Sequence, residues 1–417
     1  MVSAGPTQRH ATLAVIVAAL GYFVDIYDLI LFGTVRVPSL KELGYEGDAL
    51  LDRGLFLLNC QMGGMLVGGV LWGVLGDKRG RLSVLFGSII TYSVANLANG
   101  FVTNVEQYAV CRLIAGIGLA GELGAGITLV AELLPKQTRG YGTTIVAAFG
   151  ICGGVAAGIV GGGIPSIYEG AYWRTSYYIG GGLGLGLLVL RIGVVESGMF
   201  DTLRKQASVS RGNFFALFTN RHLFVRYVSV IAIGVPIWYS VGILVAFCDS
   251  LGAELGLAER PHPPTAFMIT YAGLAIGDLA SGLLSQWLRS RRRALAIFIA
   301  GTALSVVAYF ALGGTSLTVF YGVLAVLGVF TGYWAVFATI GAEQFGTNLR
   351  ATVATTSPNF VRGSVVPLTI MLELLTGPLG LLGAAAAVGL IALAVAVAGL
   401  WRLRETFGVD LDYVEEH

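Results

Sequence analysis

Ionisable side chains inside long apolar runs are the residues of this chain best placed to do chemistry. Asp25 and Asp28 lie in the first run, Arg112 in the fourth and Arg362 in the eleventh. A charge in an apolar surrounding is costly, so each should face an internal cavity and meet a partner there. The chemistry available is proton exchange at carboxylates and anion binding at guanidinium groups.

Asp28 and Arg112 are predicted to form an ion pair. Converted at about 1.5 Å per residue, the two positions lie at matching depth in their spans. Asp25 lies one helical turn deeper than Asp28, on nearly the same helical face. No apolar run contains a histidine, so carboxylates must carry any coupled proton.

We therefore expect a proton-coupling group made of Asp25, Asp28, Arg112 and Glu122. A buried carboxylate can take up a proton when its arginine partner is drawn away, and it releases that proton when the pair reforms. The alternative is a permanent structural ion pair that never titrates. Glu122 is either a second proton site or the partner of a basic group.

Arg362 is the candidate anchor for an anionic substrate. It lies about 18 Å from the inner end of its run, close to the midplane. A guanidinium stays charged and offers a planar fork that matches a carboxylate or a phosphate. The alternative is a structural ion pair with Asp278 or with Glu122.

Polar and aromatic residues near the midplane are predicted to line the same cavity. A binding site between two bundles needs apolar walls with a few directed polar groups. The candidate wall residues are Gln61, Trp238, Tyr239, Tyr271, Tyr333, Trp334 and Asn359. Pro236 interrupts the seventh run and predicts a bend there.

A short pattern occurs twice, half a chain length apart. Ala-Glu ends an apolar run at Glu132 and again at Glu343, and an arginine follows seven residues later in each copy, at Arg139 and at Arg350. A repeat at half length between hydrophobic spans is typical of transporters built from two related bundles. The two Glu–Arg sets are predicted to form gate ion pairs at the inner ends of the helices.

The composition predicts a membrane protein. The mean hydropathy is +0.78, with only 12% charged residues. A spanning helix needs about 20 mostly apolar residues. Twelve such spans are predicted, at roughly 11–35, 54–76, 82–102, 106–134, 140–164, 173–195, 224–248, 264–288, 293–313, 315–341, 351–376 and 379–401.

Lysine and arginine set the predicted topology. Most of them fall at one side of the predicted spans, which places that side and both termini in the cytoplasm. The expected membrane is a bacterial inner membrane. The longest polar stretch gives the predicted division into a six-helix bundle at 1–195, a cytoplasmic linker at 196–222 and a second six-helix bundle at 223–417. The class is all-α.

Other function classes are disfavoured. The four cysteines lack CxxC spacing, so neither a metal site nor a disulfide is expected. No nucleophile–base set or phosphate loop predicts an enzyme, and no cofactor or nucleic-acid partner is expected. The expected partners are a small-molecule substrate, protons and the lipid bilayer, and the chain is expected to act as a monomer.

Four sequence motifs carry a family resemblance. Residues 73–81 read GVLGDKRGR, residues 112–124 read RLIAGIGLAGELG, residues 131–140 read AELLPKQTRG, and residues 21–29 read GYFVDIYDL. The first resembles motif A of the major facilitator superfamily, and the others resemble its metabolite:proton symporters, phosphate:proton symporters and sugar porters. Leu82 and Ala120 depart from these patterns.

The resemblance implies twelve transmembrane helices in two bundles related by a pseudo-two-fold axis. It implies that Asp77 and Arg81 belong to a charged latch on the inner face. Phosphate symporters carry a lysine in the eleventh span, which makes Arg362 a comparable candidate.

The expected function is secondary active transport: proton-coupled symport of a small organic anion, of carboxylate type, by alternating access. Two alternatives stay open. One is symport of phosphate or another inorganic anion, and the other is uncoupled transport or export of a neutral or cationic solute. If every buried carboxylate were ionised, the cavity would be net negative, so anion binding would require some of them to be protonated.

Overall fold

Helices make up nearly all of the chain that the structure describes. The computed structural model describes residues 8–79, 81–122, 139–163, 172–196, 214, 216–408 and 415. The first half contains α1 (Gln8–Glu42), α2 (Asp48–Arg79), α3 (Arg81–Asn99), α4 (Val105–Leu119), α5 (Arg139–Gly158) and α6 (Tyr172–Glu196).

The second half contains eight labelled helices, because its predicted tenth span is divided between two helices and a short extra helix follows its first span. They are α7 (Arg221–Tyr239), α8 (Cys248–Glu254), α9 (Pro263–Trp287), α10 (Arg291–Leu312), α11 (Leu317–Thr331), α12 (Trp334–Glu343), α13 (Thr347–Gly363) and α14 (Val365–Arg402).

Side-chain caps fix several helix starts. Asn104 accepts a hydrogen bond from the backbone N–H of Gln107 at the start of α4. Ser290 and Ser316 do the same for α10 and α11. Each cap satisfies one of the backbone donors that a first helical turn leaves free.

The helices match the predicted spans closely. In the described part of the chain, eight helical segments are long and apolar enough to cross a membrane. The longest, Thr352–Arg402, covers two predicted spans, and α3, α4 and α5 correspond to the remaining three. The fold is therefore the expected all-α membrane architecture of twelve spans in two six-helix bundles.

Irregular turns interrupt the spans at defined points. Ile159–Gly163 and Ser240–Val245 are π-helical turns that extend α5 and α7. The predicted tenth span is split between α11 and α12, and the eleventh is split between α13 and the first part of α14. Gly380 bends α14 with a φ of 69°, which an L side chain rarely adopts.

The two halves meet along their central helices. Contacts between α5 and α9 and between α2 and α13 form the interface, with smaller ones between α1 and α9. On α5, Gly154 faces the Tyr271 ring of α9 so closely that a side chain there would overlap the ring. We call the end of the molecule that holds loop 43–47 the first-loop face, and the end that holds residues 288–290 and 403–408 the termini face.

Candidate functional site

A buried ion pair joins the two halves at the centre of the molecule. The Arg362 Nη2 on α13 donates a hydrogen bond of 3.0 Å to the Asp25 Oδ2 on α1. Both residues are 0% exposed. Of the partners predicted for Arg362, neither Asp278 nor Glu122 is used; the partner is Asp25, from the opposite half.

Arg362 keeps unused donors in this position. Its Nε and Nη1 atoms have no hydrogen-bond partner among the described residues, and neither does Asp25 Oδ1. A buried donor without a partner is costly, so these atoms favour an additional acceptor. A carboxylate fits, because a guanidinium can bind it through two parallel hydrogen bonds.

Several aromatic side chains are buried in the central region, and one of them lies close to Arg362. Its guanidinium carbon lies 5.7 Å from the centre of the Trp334 ring. Trp238 is also buried, and the indole nitrogens of both tryptophans have no hydrogen-bond partner among the described residues. Tyr271 is buried where α9 meets α5. Two indole N–H groups and flat apolar walls suit a small unsaturated ligand with polar substituents.

Asn359 belongs to the same central group and connects the halves a second time. Its Nδ2 donates to the backbone carbonyl of Ala120, at the end of the described part of the fourth span, over 2.8 Å. Its Oδ1 has no partner among the described residues. The predicted wall residues Trp238, Trp334 and Asn359 thus offer polar atoms that no described residue satisfies.

The predicted ion pair between Asp28 and Arg112 is not among the contacts of the described residues. The Arg112 guanidinium instead donates to the side-chain oxygens of Asn96 at 2.7 Å and Asn99 at 3.3 Å. Its carbon also lies 4.8 Å from the centre of the Tyr177 ring. Both oxygens of Asp28 are buried without a hydrogen-bond partner in the described chain. Asn96 and Asn99 of α3, which were not among the predicted site residues, therefore bind the guanidinium nitrogens of Arg112.

Glu122 pairs with Arg191, which lies near the end of the sixth predicted span. Two nitrogens of Arg191 on α6 donate to the two carboxylate oxygens of Glu122. Both residues are buried. The absence of a side chain at Gly21 of α1 leaves the room that this pair occupies. Of the two readings of Glu122, the contact favours the partner of a basic group.

The expected excess of buried carboxylates is reduced but not removed. Among the described residues, Arg112, Arg191 and Arg362 face the four carboxylates of Asp25, Asp28, Glu122 and Asp278, so one carboxylate remains in excess. The apolar residues on both sides of Arg191 were the signal that could have placed it in the membrane interior.

Other predicted wall residues serve packing. The Tyr239 and Tyr333 hydroxyls donate to the carbonyls of Ala385 and Ile233. Gln61 donates to the Leu29 carbonyl and accepts a long contact from Arg112 at 3.5 Å. Pro236 lies within α7 and is followed by the π-helical turn rather than by a break.

Asp278 stabilises a helix start. Its Oδ1 accepts a hydrogen bond of 2.7 Å from the Ala335 backbone N–H, at the beginning of α12. The carboxylate therefore occupies the positive end of the helix that follows the break.

Of the two predicted gate pairs, the structure describes the side chains of Glu343 and Arg350 only. Glu343 pairs with Arg291 of α10 at 3.3 Å and accepts a hydrogen bond from the Thr406 hydroxyl, which replaces the expected pairing with Arg350. Arg350 donates to the Phe345 carbonyl. Glu132 lies outside the described residues, as do the side chains of Asp77, Arg81 and Arg139.

An unpredicted ion pair joins the halves at the first-loop face. Arg36, in the C-terminal part of α1, pairs with Asp249 of α8, and its guanidinium lies over the Phe247 ring at 4.6 Å. Thr369 of α14 also donates to Asn59 of α2 over 2.6 Å. Between Asp25 and this face, the halves are thus held together by polar contacts.

Comparison with known proteins identifies the family to which this architecture belongs. Residues 18–357 match the sequence profile of the Major Facilitator Superfamily. The chain is 27% identical to a gentisate transporter of Corynebacterium glutamicum over 95% of this chain and 89% of that protein. It is 26% identical to a cis,cis-muconate transport protein of Acinetobacter baylyi over 88% of this chain and 89% of that protein.

A solved structure of a proton:xylose symporter superposes with a TM-score of 0.70 at 15% identity, covering 98% of both chains. That likeness concerns the fold. With the profile match, the two bundles and the spanning helices, it identifies the chain as a multi-pass membrane transporter and not an enzyme: it belongs to the Major Facilitator Superfamily.

Proposed function

We propose that this transporter is a proton-coupled symporter of a small organic anion, and that the anion is an unsaturated or aromatic carboxylate. The Asp25–Arg362 ion pair carries the proposal, because it places an anion-binding group and a proton acceptor in direct contact between the halves. It is supported by relatives named for gentisate and cis,cis-muconate, which are both unsaturated carboxylates.

The aromatic surroundings of Arg362 support an organic anion over phosphate. Trp334 lies 5.7 Å from the guanidinium carbon and offers a flat apolar surface and one N–H donor, and Trp238 on α7 is a second buried indole with an unpartnered N–H among the described residues. Inorganic phosphate is strongly hydrated and would need several polar partners in place of these rings. A planar carboxylate can bind Arg362 at one end and lie against the indole rings along its length.

Coupling follows from competition for one guanidinium. A substrate carboxylate that binds Arg362 through two parallel hydrogen bonds takes the Nη2 atom that Asp25 uses, so it displaces Asp25 and leaves it as a buried carboxylate without a partner. Such a charge is costly in this setting, so Asp25 binds a proton. When substrate leaves, Arg362 attracts Asp25 again and the proton is released. One proton therefore accompanies each bound carboxylate.

With the topology that lysine and arginine predict, the termini face is cytoplasmic and the membrane is a bacterial inner membrane. The Arg36–Asp249 pair then closes the external side. Uptake follows when the halves separate at the first-loop face, admit substrate and proton, close again and open at the termini face.

Transport in proteoliposomes tests the proposal. Gentisate, cis,cis-muconate, inorganic phosphate, xylose and a quaternary amine are offered with and without an imposed pH gradient. We expect the gradient to drive accumulation of the unsaturated carboxylates alone. Gradient-driven uptake of phosphate, or carboxylate uptake that ignores the gradient, would contradict the assignment.

The Asp25→Asn variant separates coupling from binding. It removes the titrating carboxylate, so we expect accumulation against a gradient to fall to background while exchange of labelled for unlabelled substrate continues. Glu42→Gln is a matched control, since Glu42 is paired with Arg174 within the first half, remote from the centre. Full accumulation by Asp25→Asn would remove Asp25 from the coupling role.

A further inference from the structure

A basic cavity lies at the termini face, away from the central site. It has a volume of about 510 Å³ and lies between the start of α10 and the end of α14. Arg289, Arg292 and Arg293 line it together with the apolar Ala296 and Leu400 and the carboxylate of Glu405. Neither the proposed transport cycle nor the gate pair at Glu343 uses these three arginines.

Glu405 does not neutralise the arginine side chains of this cavity. Its carboxylate accepts hydrogen bonds from the Ser290 hydroxyl and from the backbone N–H groups of Arg291 and Arg292. It therefore acts as the anion at the start of α10. Arg292 makes one contact of 3.5 Å to the Trp401 carbonyl, and its Nε is buried without a partner among the described residues.

The arginines occupy positions that local structure disfavours. Arg289 has a φ of 47°, in the left-handed region that glycine normally fills at the end of a helix. Arg292 and Arg293 lie in the first turn of α10, where the helix dipole opposes positive charge. Helix stability does not favour three cations at these positions, and the cavity beside them and the unpartnered Nε of Arg292 leave room for an anionic ligand.

The exposed side chains around the cavity are of the kind that lies at a membrane surface. Trp287, at the end of α9, is 80% exposed, and Trp401, at the end of α14, is 83% exposed. Exposed tryptophans at helix ends are typical of the boundary between hydrocarbon and headgroups. Ile297 and Leu304, further along α10, are exposed as well, so this helix presents an apolar surface to lipid.

We propose that this cavity binds the headgroup phosphate of an anionic phospholipid. The three guanidinium groups donate to the phosphate oxygens, and the acyl chains lie along Ala296, Leu400 and the apolar surface of α10. Basic pockets between spanning helices at a membrane surface recognise lipid phosphates in this way. The site is independent of the substrate proposed for the centre.

Tryptophan quenching by brominated lipid tests the site in the full-length protein. The transporter is placed in phosphatidylcholine nanodiscs that contain a small fraction of either brominated phosphatidylglycerol or brominated phosphatidylcholine. Trp287 and Trp401 are the reporters. We expect phosphatidylglycerol to quench at a lower mole fraction, and Trp287→Phe/Trp401→Phe to remove the difference between the two lipids.

Two variants probe the arginines. Arg289→Gly suits the left-handed backbone, so it should fold normally and weaken the preference for phosphatidylglycerol about fivefold. Arg292→Gln/Arg293→Gln should weaken it about 25-fold, at about fivefold for each charge. Arg221→Gln/Arg404→Gln removes two exposed cations of the same face outside the cavity and should leave the preference within about twofold.

Three results would overturn the proposal. One is an equal response to the two brominated lipids in the unmodified protein. Another is an unchanged preference in both cavity variants. The third is loss of the preference when inorganic phosphate is added at constant ionic strength, which would assign the cavity to soluble phosphate in place of lipid.

Discussion

Arg362 holds Asp25 with one nitrogen, and its other two nitrogens have no partner within the described part of the chain. This geometry depends on the guanidinium fork, which can hold two acceptors at once or change from one to the other. A lysine ammonium is a compact point charge and cannot bind a carboxylate through two parallel hydrogen bonds. The choice of arginine at position 362 is therefore a matter of shape as well as charge.

We expect Arg362→Lys to weaken substrate binding about tenfold or more, because one charge-assisted hydrogen bond is worth about 1.5–3 kcal/mol. Equilibrium binding of labelled carboxylate to purified protein measures the effect. Arg191→Lys is a control that changes another buried arginine, one that is paired with Glu122 within the first half. Unaltered affinity in Arg362→Lys would argue that Arg362 is purely structural.

Individual charges were predictable from the sequence, but their partners were not. Asp25 and Arg362 stand out because long apolar segments surround them. Depth along a helix led to the expected pairing of Asp28 with Arg112, yet helix rotation turns Arg112 towards Asn96 and Asn99. Linear position also did not show that Arg191 is buried, since a long side chain near a span end can turn inward as well as towards water.

The start of α12, after the break that follows α11, is stabilised by a residue of another helix. Asp278 on α9 accepts a hydrogen bond from the first turn of α12. Removing a capping side chain typically costs about 0.5–2 kcal/mol. We expect Asp278→Ala to lower the thermal midpoint of unfolding in detergent, and Asp278→Asn to retain most of the stability because it keeps the acceptor.

Asp278→Asn also distinguishes a residue that only caps α12 from one that carries a proton. If Asp278 only caps α12, the asparagine variant should keep pH-driven accumulation of substrate. Loss of accumulation in a variant that is as stable as the unmodified protein would instead make Asp278 a proton carrier.

Glu405 should make the junction of α10 and α14 sensitive to acid. Burial disfavours its charged form, but hydrogen bonds from Ser290 and from backbone N–H groups outweigh burial and lower the pKa of its carboxyl. Because the folded pKa lies below the unfolded one, this stabilisation is complete above the ordinary carboxyl pKa. It is lost as the pH falls through the folded value.

We therefore expect Glu405→Gln to destabilise the protein at neutral pH and to have a smaller effect as the pH falls below the ordinary carboxyl range. Thermal unfolding of both proteins across that range measures the difference. Glu46→Gln, which changes an exposed carboxylate of loop 43–47, is the control. A constant difference at every pH would contradict the linkage.

The order of the helices was largely predictable, and their interruptions were not. Apolar length identifies each span because the bilayer sets a minimum of about 20 residues. Hydropathy continues without a gap through Gly332 and Tyr333, so the predicted tenth span was read as one helix. The break depends on the Asp278 carboxylate, which belongs to another helix, and a tertiary contact leaves no periodic signal.

Across the whole molecule, the polar contacts between the halves run from the centre to the first-loop face. They include Asp25–Arg362, Asn59–Thr369 and Arg36–Asp249. Alternating access requires the halves to separate there, so these contacts contribute to the free-energy difference between closed and open states.

We expect Asp249→Asn to favour opening at the first-loop face, since it leaves the buried Arg36 without its charged partner. Cys248 is 0% exposed beside Asp249 and serves as a native reporter. Its reaction with a small polar thiol reagent should become roughly tenfold faster or more.

Glu42→Gln is the matched control for that experiment. It breaks the Glu42–Arg174 ion pair, which lies at the same face but within one half, so the reactivity of Cys248 should stay unchanged. Equal acceleration in both variants would indicate local loosening in place of movement between the halves.

The repeat of Ala-Glu and arginine predicted two related halves, and the fold has them. It did not predict which side of the interface would be closed. That property depends on pairs such as Arg36–Asp249, whose members lie far apart in sequence and outside any shared motif.

Pairing Asp25 with Arg362 has an electrical consequence for the proposed cycle. The empty centre holds one negative and one positive charge, and a centre loaded with a monocarboxylate and a proton also sums to zero. Neither form moves net charge through the transmembrane field, which would otherwise act with about 2.3 kcal/mol per charge for every 100 mV. Uptake of a monovalent acid should then be electroneutral, so that membrane voltage neither speeds nor slows it, whereas a divalent acid carried with a single proton would work against a negative interior.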